Sequence, residues 1–196
     1  MRTLIVYGST QGQTQKVADC VADRWRSQGH DVAVFDAAKI TAMVDPLHYD
    51  ATLLAASLHA GGYQQSVARF AREHSAALSS GPSAFVSVSL SAAGNDPSDR
   101  AGLARCDEEF FANTGWRPAH VHHAAGAFAY TRYNLLVRWY MKRIARQRGV
   151  STDTSRDCEF TDYTALRRFA DQFLAAALHS NARTTRPGWA AARWAL

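Results

Sequence analysis

The sequence predicts an α/β fold, a doubly wound sheet of five parallel strands in the order 2-1-3-4-5 with helices on both faces. Short apolar runs alternate with helical patterns along most of the 196 residues. A loop rich in glycine and hydroxyl side chains follows the first run, and neither an internal repeat nor a low-complexity linker interrupts the alternation. Strands separated by helices are typical of a parallel sheet covered on both faces. Such sheets bind ligands beyond the carboxyl ends of their strands.

The predicted strands are mostly continuous apolar runs, as expected where a strand is buried on both faces. In order along the chain they occupy residues 4–7, 32–35, 51–56, 84–88 and 119–125. The fifth contains His120, His122 and His123. Strand alternation puts the first two histidines on one face and the third on the other. Because zinc needs three or four converging ligands, we expect strand histidines without a metal.

Helices are predicted over residues 13–28, 64–78, 96–113 and 162–178. In the first, Val17, Val21 and Trp25 are spaced four residues apart and share one face, and Gly29 is placed to end the helix. The third opens with Asp-Pro-Ser-Asp, which puts proline in the first turn and acidic residues near the positive end of the helix dipole. Together the elements predict one domain over residues 1–180 and a loosely held tail over residues 181–196.

The composition bounds the partners and the compartment. The formal net charge is +5, and residues 131–150 hold six basic residues and no acidic one, so the rest of the chain is nearly neutral. This local excess does not predict nucleic-acid binding. Three widely spaced cysteines without a CxxC pair predict neither a disulfide framework nor a zinc site, and they favour the cytoplasm. The sequence has no run of eighteen apolar residues, so no transmembrane helix is expected.

Residues 7–14, YGSTQGQT, link the first strand to the first helix and contain neither lysine nor arginine. Ser9, Thr10 and Thr14 offer hydroxyls, and the backbone N–H groups of this loop can surround one anion at the positive end of the helix. Gly12 removes a side chain where the backbone must approach the ligand closely. The pattern predicts a single phosphate monoester held by neutral donors. The alternative is an ordinary strand-to-helix turn with a hydroxyl cap.

Two other phosphate loops do not fit this stretch. A nucleoside triphosphate loop carries lysine at the position of Gln13, and its two glycines lie further apart than Gly8 and Gly12. A dinucleotide loop needs a third glycine at a set spacing, which is absent from the sequence.

The stretch over residues 5–21, IVYGSTQGQTQKVADCV, resembles the flavodoxin signature. An apolar-apolar-aromatic start is followed by matches at Ser9, Gly12, Thr14, Ala18 and Val21. The resemblance implies a flavodoxin-like fold that binds FMN.

Five further segments resemble the menaquinone-dependent protoporphyrinogen IX dehydrogenases, which are flavodoxin-like enzymes of haem biosynthesis. They are PSAFVSVSL (82–90), WRP (116–118), GAFAYTRY (126–133), TDT (152–154) and TDY (161–163). The resemblance implies oxidation of protoporphyrinogen IX to protoporphyrin IX, with electrons passed to a membrane quinone, either menaquinone or ubiquinone. In this family the flavin carries the chemistry, and the sequence does not identify a catalytic acid or base.

By this resemblance three loops form the FMN site, one for the phosphate and two flanking the ring. The implied residues are Ser9, Thr10, Gln11, Gly12, Gln13, Thr14, Ser57, Leu58, His59, Ala60, Gly61, Tyr63, Ser89, Leu90, Ser91 and Ala92. Tyr63 or His59 would stack on the flavin, although family members tend to carry Arg-Tyr where this chain has His59 and Ala60. The alternative for Tyr63 is packing at a helix start.

Residues 131–155 fit a helical insertion that the family carries at the fifth strand. On a helix, residues 132–148 separate into an apolar arc and a basic arc. The basic arc contains Arg132, Arg138, Lys142, Arg143 and Arg146. This pattern predicts peripheral contact with the cytoplasmic face of the inner membrane, and the same bases could orient the propionates of the substrate. The alternative is a surface helix with solvated charges.

Two other functions compete with the dehydrogenase. A flavodoxin-type electron carrier is usually acidic, whereas this chain has a pI of about 9.4. An FMN-dependent NAD(P)H:quinone reductase would bind a second nucleotide, for which the sequence offers no motif. The sequence does not predict an oligomeric state.

Overall fold

A computed structural model of the chain describes residues 1–40, 44–59, 61–93, 97–128 and 158–184. Five parallel strands form the central sheet of this described part. They are β1 (Arg2–Gly8), β2 (Asp31–Asp36), β3 (Ala51–His59), β5 (Ser83–Ser89) and β6 (His120–Ala125). Their order in the sheet is β2-β1-β3-β5-β6, and every neighbouring pair is parallel. Counted over the parallel strands, this is the predicted order 2-1-3-4-5.

Two short pairings were not predicted from the sequence. β4 (Gly62–Tyr63) turns back antiparallel on the end of β3, pairing Tyr63 with Leu58. β7 (Ala127–Phe128) pairs antiparallel with β8 (Cys158–Glu159) just beyond β6. Strands of two residues carry too few side chains to show a period, so pattern analysis does not detect them.

The helices cover both faces of the sheet. They are α1 (Gln13–Ser27), α2 (Gln65–Glu73), α3 (Ser75–Ser80), α4 (Pro97–Thr114) and α5 (Tyr163–Thr184). The single helix predicted over 64–78 is two helices that meet at His74, and α5 continues beyond the predicted end at 178. Two 3-10 turns, Pro46–His48 and Leu90–Ala93, complete the described elements. In the described ranges, none of the helices has the length and apolar character to span a bilayer.

One face of the sheet packs against α1 and α5. Trp25 is fully buried there, and its indole N–H donates to the carbonyl of Ala170 at 3.2 Å. Its ring lies 6.1 Å from that of Phe173. The indole therefore fills the space between the helices while its polar atom stays satisfied. The predicted apolar face of α1 is confirmed, because Val17 and Val21 are buried beside it.

The other face packs against α2, α3 and α4 through an aromatic cluster. Phe85 of β5 stacks on Phe110 with ring centroids 5.0 Å apart, and Trp116 meets Phe85 edge-on at 6.1 Å. The indole N–H of Trp116 donates to Ser83 Oγ at 3.0 Å. The cluster anchors α4 to the centre of the sheet.

Two glycines near the start of the chain are required by geometry. Gly29 ends α1 with φ of 84°, in the left-handed region that disfavours side chains, as its position predicted. Gly8 ends β1 beneath α2, where an added Cβ would lie 2.7 Å from Val67 Cγ2 and 2.9 Å from Gln64 Cβ. The start of α2 therefore lies directly against the strand that leads into the phosphate loop.

Two predicted regions fall outside the described residues. They are the basic insertion over residues 131–155 and the last part of the tail, residues 185–196. The tail predicted over 181–196 begins in fact inside α5, which ends at Thr184.

Candidate functional site

A cleft of about 260 Å³ opens at the carboxyl ends of the parallel strands, next to the start of α1. Its lining comes from four loops: Ser9, Gln11, Gln13, Thr14, Ser57, Leu58, His59, Gly61, Val88, Ser89, Leu90, Ser91 and Gly126. This lining is rich in hydroxyl and amide groups, and its described residues include no lysine, arginine or carboxylate. Residue 60 and residues 94–96, which adjoin the lining in the chain, lie outside the described residues.

The phosphate loop turns sharply at Gly12. This residue has φ of 91° and serves as the N-terminal cap of α1, and because it has no side chain it makes no capping hydrogen bond to the first N–H groups of the helix. Its own N–H donates to Ser9 Oγ at 2.9 Å, which closes the loop. A glycine cap leaves the positive end of the helix dipole facing the cleft, and this is the usual arrangement for binding an anion.

The Thr14 hydroxyl is the main evidence that the loop is suited to bind a ligand. Thr14 is fully buried, and its Oγ1 has no hydrogen-bond partner among the described residues. A buried hydroxyl without a partner costs about 1–3 kcal/mol, so native structures usually satisfy such a group. Thr14 lies in the first turn of α1 and lines the cleft. A phosphate oxygen held at this helix end would satisfy it, so the loop fits the predicted phosphate.

Gln64 orders the outer side of the loop. Its side-chain amide donates to Thr10 Oγ1 and, at 2.9 Å, to Ser57 Oγ. It therefore ties the phosphate loop to the end of β3. Because Gln64 lies more than fifty positions from Thr10 in the chain, sequence reasoning did not identify it.

A second tie joins the start of α1 to the end of β6. The amide of Gln13 donates to Thr161 Oγ1 at 2.8 Å, and Thr161 in turn donates to the carbonyl of Ala125 at 2.6 Å. Gly126 follows β6 and lines the cleft, where its N–H donates to the carbonyl of Ser89 at 2.9 Å. An added Cβ at Gly126 would lie 3.3 Å from the Ser89 carbonyl carbon, so a side chain here would push the two loops apart by a few tenths of an ångström.

The remaining walls are formed by the ends of β3 and β5. Leu58, Val88 and Leu90 provide apolar surface. His59 stands at the rim with its side chain exposed on one side, and desolvation by the surrounding protein lowers its pKa. The imidazole is therefore neutral at pH 7. Neutral and apolar walls suit a flat aromatic ligand.

The structure separates the predicted residues into two groups. Eleven of the sixteen line the cleft: Ser9, Gln11, Gln13, Thr14, Ser57, Leu58, His59, Gly61, Ser89, Leu90 and Ser91. Thr10, Gly12 and Ala92 lie in the same loops without lining the cleft. Val88 and Gly126 also line it and were not singled out from the sequence. Ala60 and the five basic positions Arg132, Arg138, Lys142, Arg143 and Arg146 lie outside the described residues.

Tyr63 does not lie in the cleft. Its ring is buried and meets Phe85 and Phe110 edge-on, each at 5.1 Å. Its hydroxyl lies 2.5 Å from Asp107 Oδ1 and 2.8 Å from Ser87 Oγ. Of the two alternatives for Tyr63, the structure has the packed ring and not one stacked on a ligand. Because β4 has only two residues, the sequence pattern does not show that Tyr63 faces the aromatic side chains of the core.

The histidines of β6 point to opposite faces, as strand alternation predicted. His120 and His122 contact the aromatic side chains of α5, with His122 stacked on Phe169 at 5.0 Å. His123 lies on the other face, where its Nε2 is 2.7 Å from Asp107 Oδ2. Within the described ranges, histidine, cysteine and acidic side chains form no group of three or more that could hold a metal.

Comparison with known folds defines the class of protein. A model described as flavodoxin domain matches residues 4–155. A Streptococcus pneumoniae TIGR4 flavodoxin superposes with a TM-score of 0.53 at 20% identity, over 90% of this chain and 99% of that one. Flavodoxin 1 from Bacillus cereus superposes with a TM-score of 0.54 at 13% identity, over 89% and 98%. The chain thus carries a flavodoxin-type, flavin-binding domain.

Curated relatives narrow the class. Protoporphyrinogen IX dehydrogenase (quinone) of Escherichia coli K12 is 32% identical over 173 residues, covering 87% of this chain and 93% of that protein. The Leishmania major protein of the same name is 31% identical over 177 residues, covering 89% and 75%. The chain belongs to the flavodoxin domain family and, within it, to the family of these protoporphyrinogen IX dehydrogenases.

Proposed function

We propose that this chain is an FMN-dependent dehydrogenase that oxidises protoporphyrinogen IX and passes the electrons to a quinone. The relatives described above carry this activity in their names and align over most of both chains. The observation that carries the flavin part of the proposal is the buried, unpartnered hydroxyl of Thr14 at the start of α1. The identities proposed for the substrate and for the electron acceptor are based on the family to which the chain belongs.

The loop favours a flavin with one phosphate. Its donors are neutral, and they surround the space in front of a single helix end. The described lining offers no cation that would balance a second phosphate. FMN meets both conditions, whereas a dinucleotide flavin carries two phosphates and an adenosine that need further contacts.

Each wall of the cleft has a distinct task in this proposal. Ser9, Thr14 and the N–H groups at the start of α1 hold the phosphate. Leu58, Val88 and Leu90 exclude water from the ring, which strengthens the polar contacts nearby. The redox chemistry would be that of the flavin held here, which the protein would position and whose environment it would tune.

Substrate binding requires cations that the described cleft does not contain. Protoporphyrinogen carries two propionates, and arginine pairs well with carboxylates. The basic arc proposed for residues 132–148 supplies Arg132, Arg138, Lys142, Arg143 and Arg146. We propose that these bases orient the propionates and hold the protein against an anionic membrane surface, where menaquinone or ubiquinone is reached.

The central test is an anaerobic assay of the purified protein. Its absorbance should show bound FMN, and porphyrin fluorescence should rise when protoporphyrinogen and a quinone are both present. Bound FMN without quinone-dependent porphyrin formation would point to an electron carrier, and rapid oxidation of NAD(P)H by quinone would point to a reductase. A protein that neither contains FMN nor takes it up would overturn the proposal.

The role of the basic arc needs a separate test. Replacement of its five bases by glutamine should leave FMN affinity unchanged while it weakens binding to anionic vesicles and slows turnover. Arg167→Gln with Arg168→Gln, which removes two bases from the exposed side of α5, is the control for loss of positive charge elsewhere on the surface. If the control and the five-base variant behave alike, the arc has no special role.

A further inference from the structure

Asp107 is a buried carboxylate on α4, outside the residues that line the cleft. It is 7% exposed and contacts the hydroxyl of Tyr63, whose ring packs against Phe85 and Phe110. Burying a carboxylate costs several kcal/mol unless it is paired and hydrogen-bonded. Because replacing a buried charged group by an apolar residue of similar volume is often neutral or stabilising, stability alone does not account for the contacts of Asp107.

The two carboxylate oxygens of Asp107 contact different strands. Oδ1 accepts from the Tyr63 hydroxyl at 2.5 Å, and Oδ2 lies 2.7 Å from His123 Nε2. The Tyr63 hydroxyl has one hydrogen, and it donates this hydrogen to Asp107 in a hydrogen bond. The Tyr63 oxygen therefore accepts from the Ser87 hydroxyl, whose Oγ lies 2.8 Å away. Burial and the bond to Asp107 raise the pKa of Tyr63, so the phenol stays protonated as a donor.

Tyr63 is the end of a short hairpin that reaches the cleft. β4 pairs Tyr63 with Leu58 and Gly62 with His59. Between these pairs, Gly61 has φ of 82° and lines the cleft together with Leu58 and His59. A two-residue strand contributes few backbone hydrogen bonds, so the hairpin depends on what holds Tyr63. Cys106, next to Asp107, adds a contact from its thiol to the Gly61 carbonyl at 3.5 Å.

The partner of Asp107 on the other side belongs to β6, which also leads into the cleft. His123 lies three positions before Gly126, which lines the cleft. Asp107 thus links two segments that contribute lining residues but do not pair with each other in the sheet. We propose that Asp107 is a positioning residue that holds the β3–β4 turn and the end of β6 at the spacing which binds the flavin ring. The proposal rests on the proposed flavin site and goes beyond it.

Tyr63→Phe is the cleanest perturbation. It removes the hydroxyl and keeps the ring contacts with Phe85 and Phe110. We expect FMN affinity to fall by about tenfold, and riboflavin affinity to fall by the same factor, because the turn lies on the ring side of the cleft. The visible circular dichroism of the bound flavin should also change, since it reports the ring environment and not global stability.

Asp107→Asn tests the centre of the link, and Glu108→Gln is its matched control. Glu108 is the next residue on α4, but its carboxylate is exposed and pairs with Arg117 on the surface. Asp107→Asn should weaken both flavins, whereas Glu108→Gln should change neither by more than about twofold. The double variant, Tyr63→Phe with Asp107→Asn, should bind flavin no more weakly than whichever single variant has the lower affinity, because the two side chains act as one unit.

Hydrogen exchange on the flavin-free protein makes the test independent of flavin binding. Both variants should speed amide exchange at Gly61, Gly62 and Tyr63, while exchange in β1 stays as in the wild type. If the wild type binds no flavin, the proposed function fails, and the exchange data still decide whether Asp107 holds the turn. Unchanged exchange at the turn, or flavin affinities within about twofold of the wild type, would overturn the inference.

Discussion

Thr14→Val is expected to stabilise the flavin-free protein and to weaken FMN binding. Valine keeps the β-branched shape of threonine and removes the hydroxyl. Because Thr14 Oγ1 is buried without a partner among the described residues, the substitution removes a group whose desolvation is not compensated. Such a group destabilises the folded state by about 1–3 kcal/mol, so we expect its removal to raise the free energy of unfolding by about 1 kcal/mol. For a chain of this size that is a rise in Tm of about 2–4 °C.

The effect on FMN has the opposite sign. A hydrogen bond to a charged group contributes about 1.5–3 kcal/mol, and each 1.4 kcal/mol is about tenfold in affinity. FMN should therefore bind about 10–100-fold more weakly to the variant. Riboflavin lacks the phosphate, so its affinity should stay within about twofold of the wild type.

The assay is urea unfolding of the flavin-free protein in buffer without phosphate or sulfate, followed by fluorescence titration with each flavin. Thr3→Val is the matched control, because Thr3 is also fully buried but its hydroxyl donates to the Asp31 carbonyl at 3.2 Å. The control should lose about 1 kcal/mol of stability. If Thr14→Val is destabilised like the control, or if its affinities for FMN and riboflavin fall by the same factor, Thr14 does not bind the phosphate.

Three further predictions concern the fold. Gly8→Ala would place a Cβ 2.7 Å from Val67 Cγ2, and the resulting overpacking should cost about 1–3 kcal/mol in urea unfolding; an unchanged midpoint would contradict the contact. A hydrogen bond from Arg24 lowers the pKa of Asp171 below its ordinary 3.8, so the pair stabilises the fold above that pH and the contribution is lost as the pH falls further. Both side chains are over a third exposed (41% and 35%); Asp171→Asn should therefore cost only about 0.5–1 kcal/mol at pH 7, and an equal loss at pH 2 would refute the linkage. Burial lowers the pKa of His122 below 6.5, so stability should fall as the pH drops below 6.5; His122→Phe should flatten this slope in thermal unfolding between pH 7 and 5, and a slope that persists would assign it to another group.

The phosphate loop was accessible from the sequence because its chemistry is contiguous. Strand, tight turn and helix start follow one another over residues 2–27, and Gly12 and Thr14 lie within two positions of each other. Backbone geometry and the helix dipole act over the same short distance. The strand order followed for a related reason, since alternating strands and helices leave few ways to build a parallel sheet.

The contacts between distant segments around the cleft could not be predicted from the sequence in this way. Gln64 reaches Thr10, and Asp107 joins Tyr63 to His123, across separations of 16 to 54 positions. Nothing in the local pattern marks these side chains, because each becomes informative only when packing brings its partner within hydrogen-bond distance.

The sequence by itself determined the main strands and helices, the parallel sheet and the loop predicted to bind a phosphate, because all of these depend on neighbours in the chain. Tertiary structure alone decided that Tyr63 packs into the core and that Thr14 is left without a partner among the described residues. The physical reason is that burial and hydrogen-bond pairing of a side chain are set by the elements packed around it.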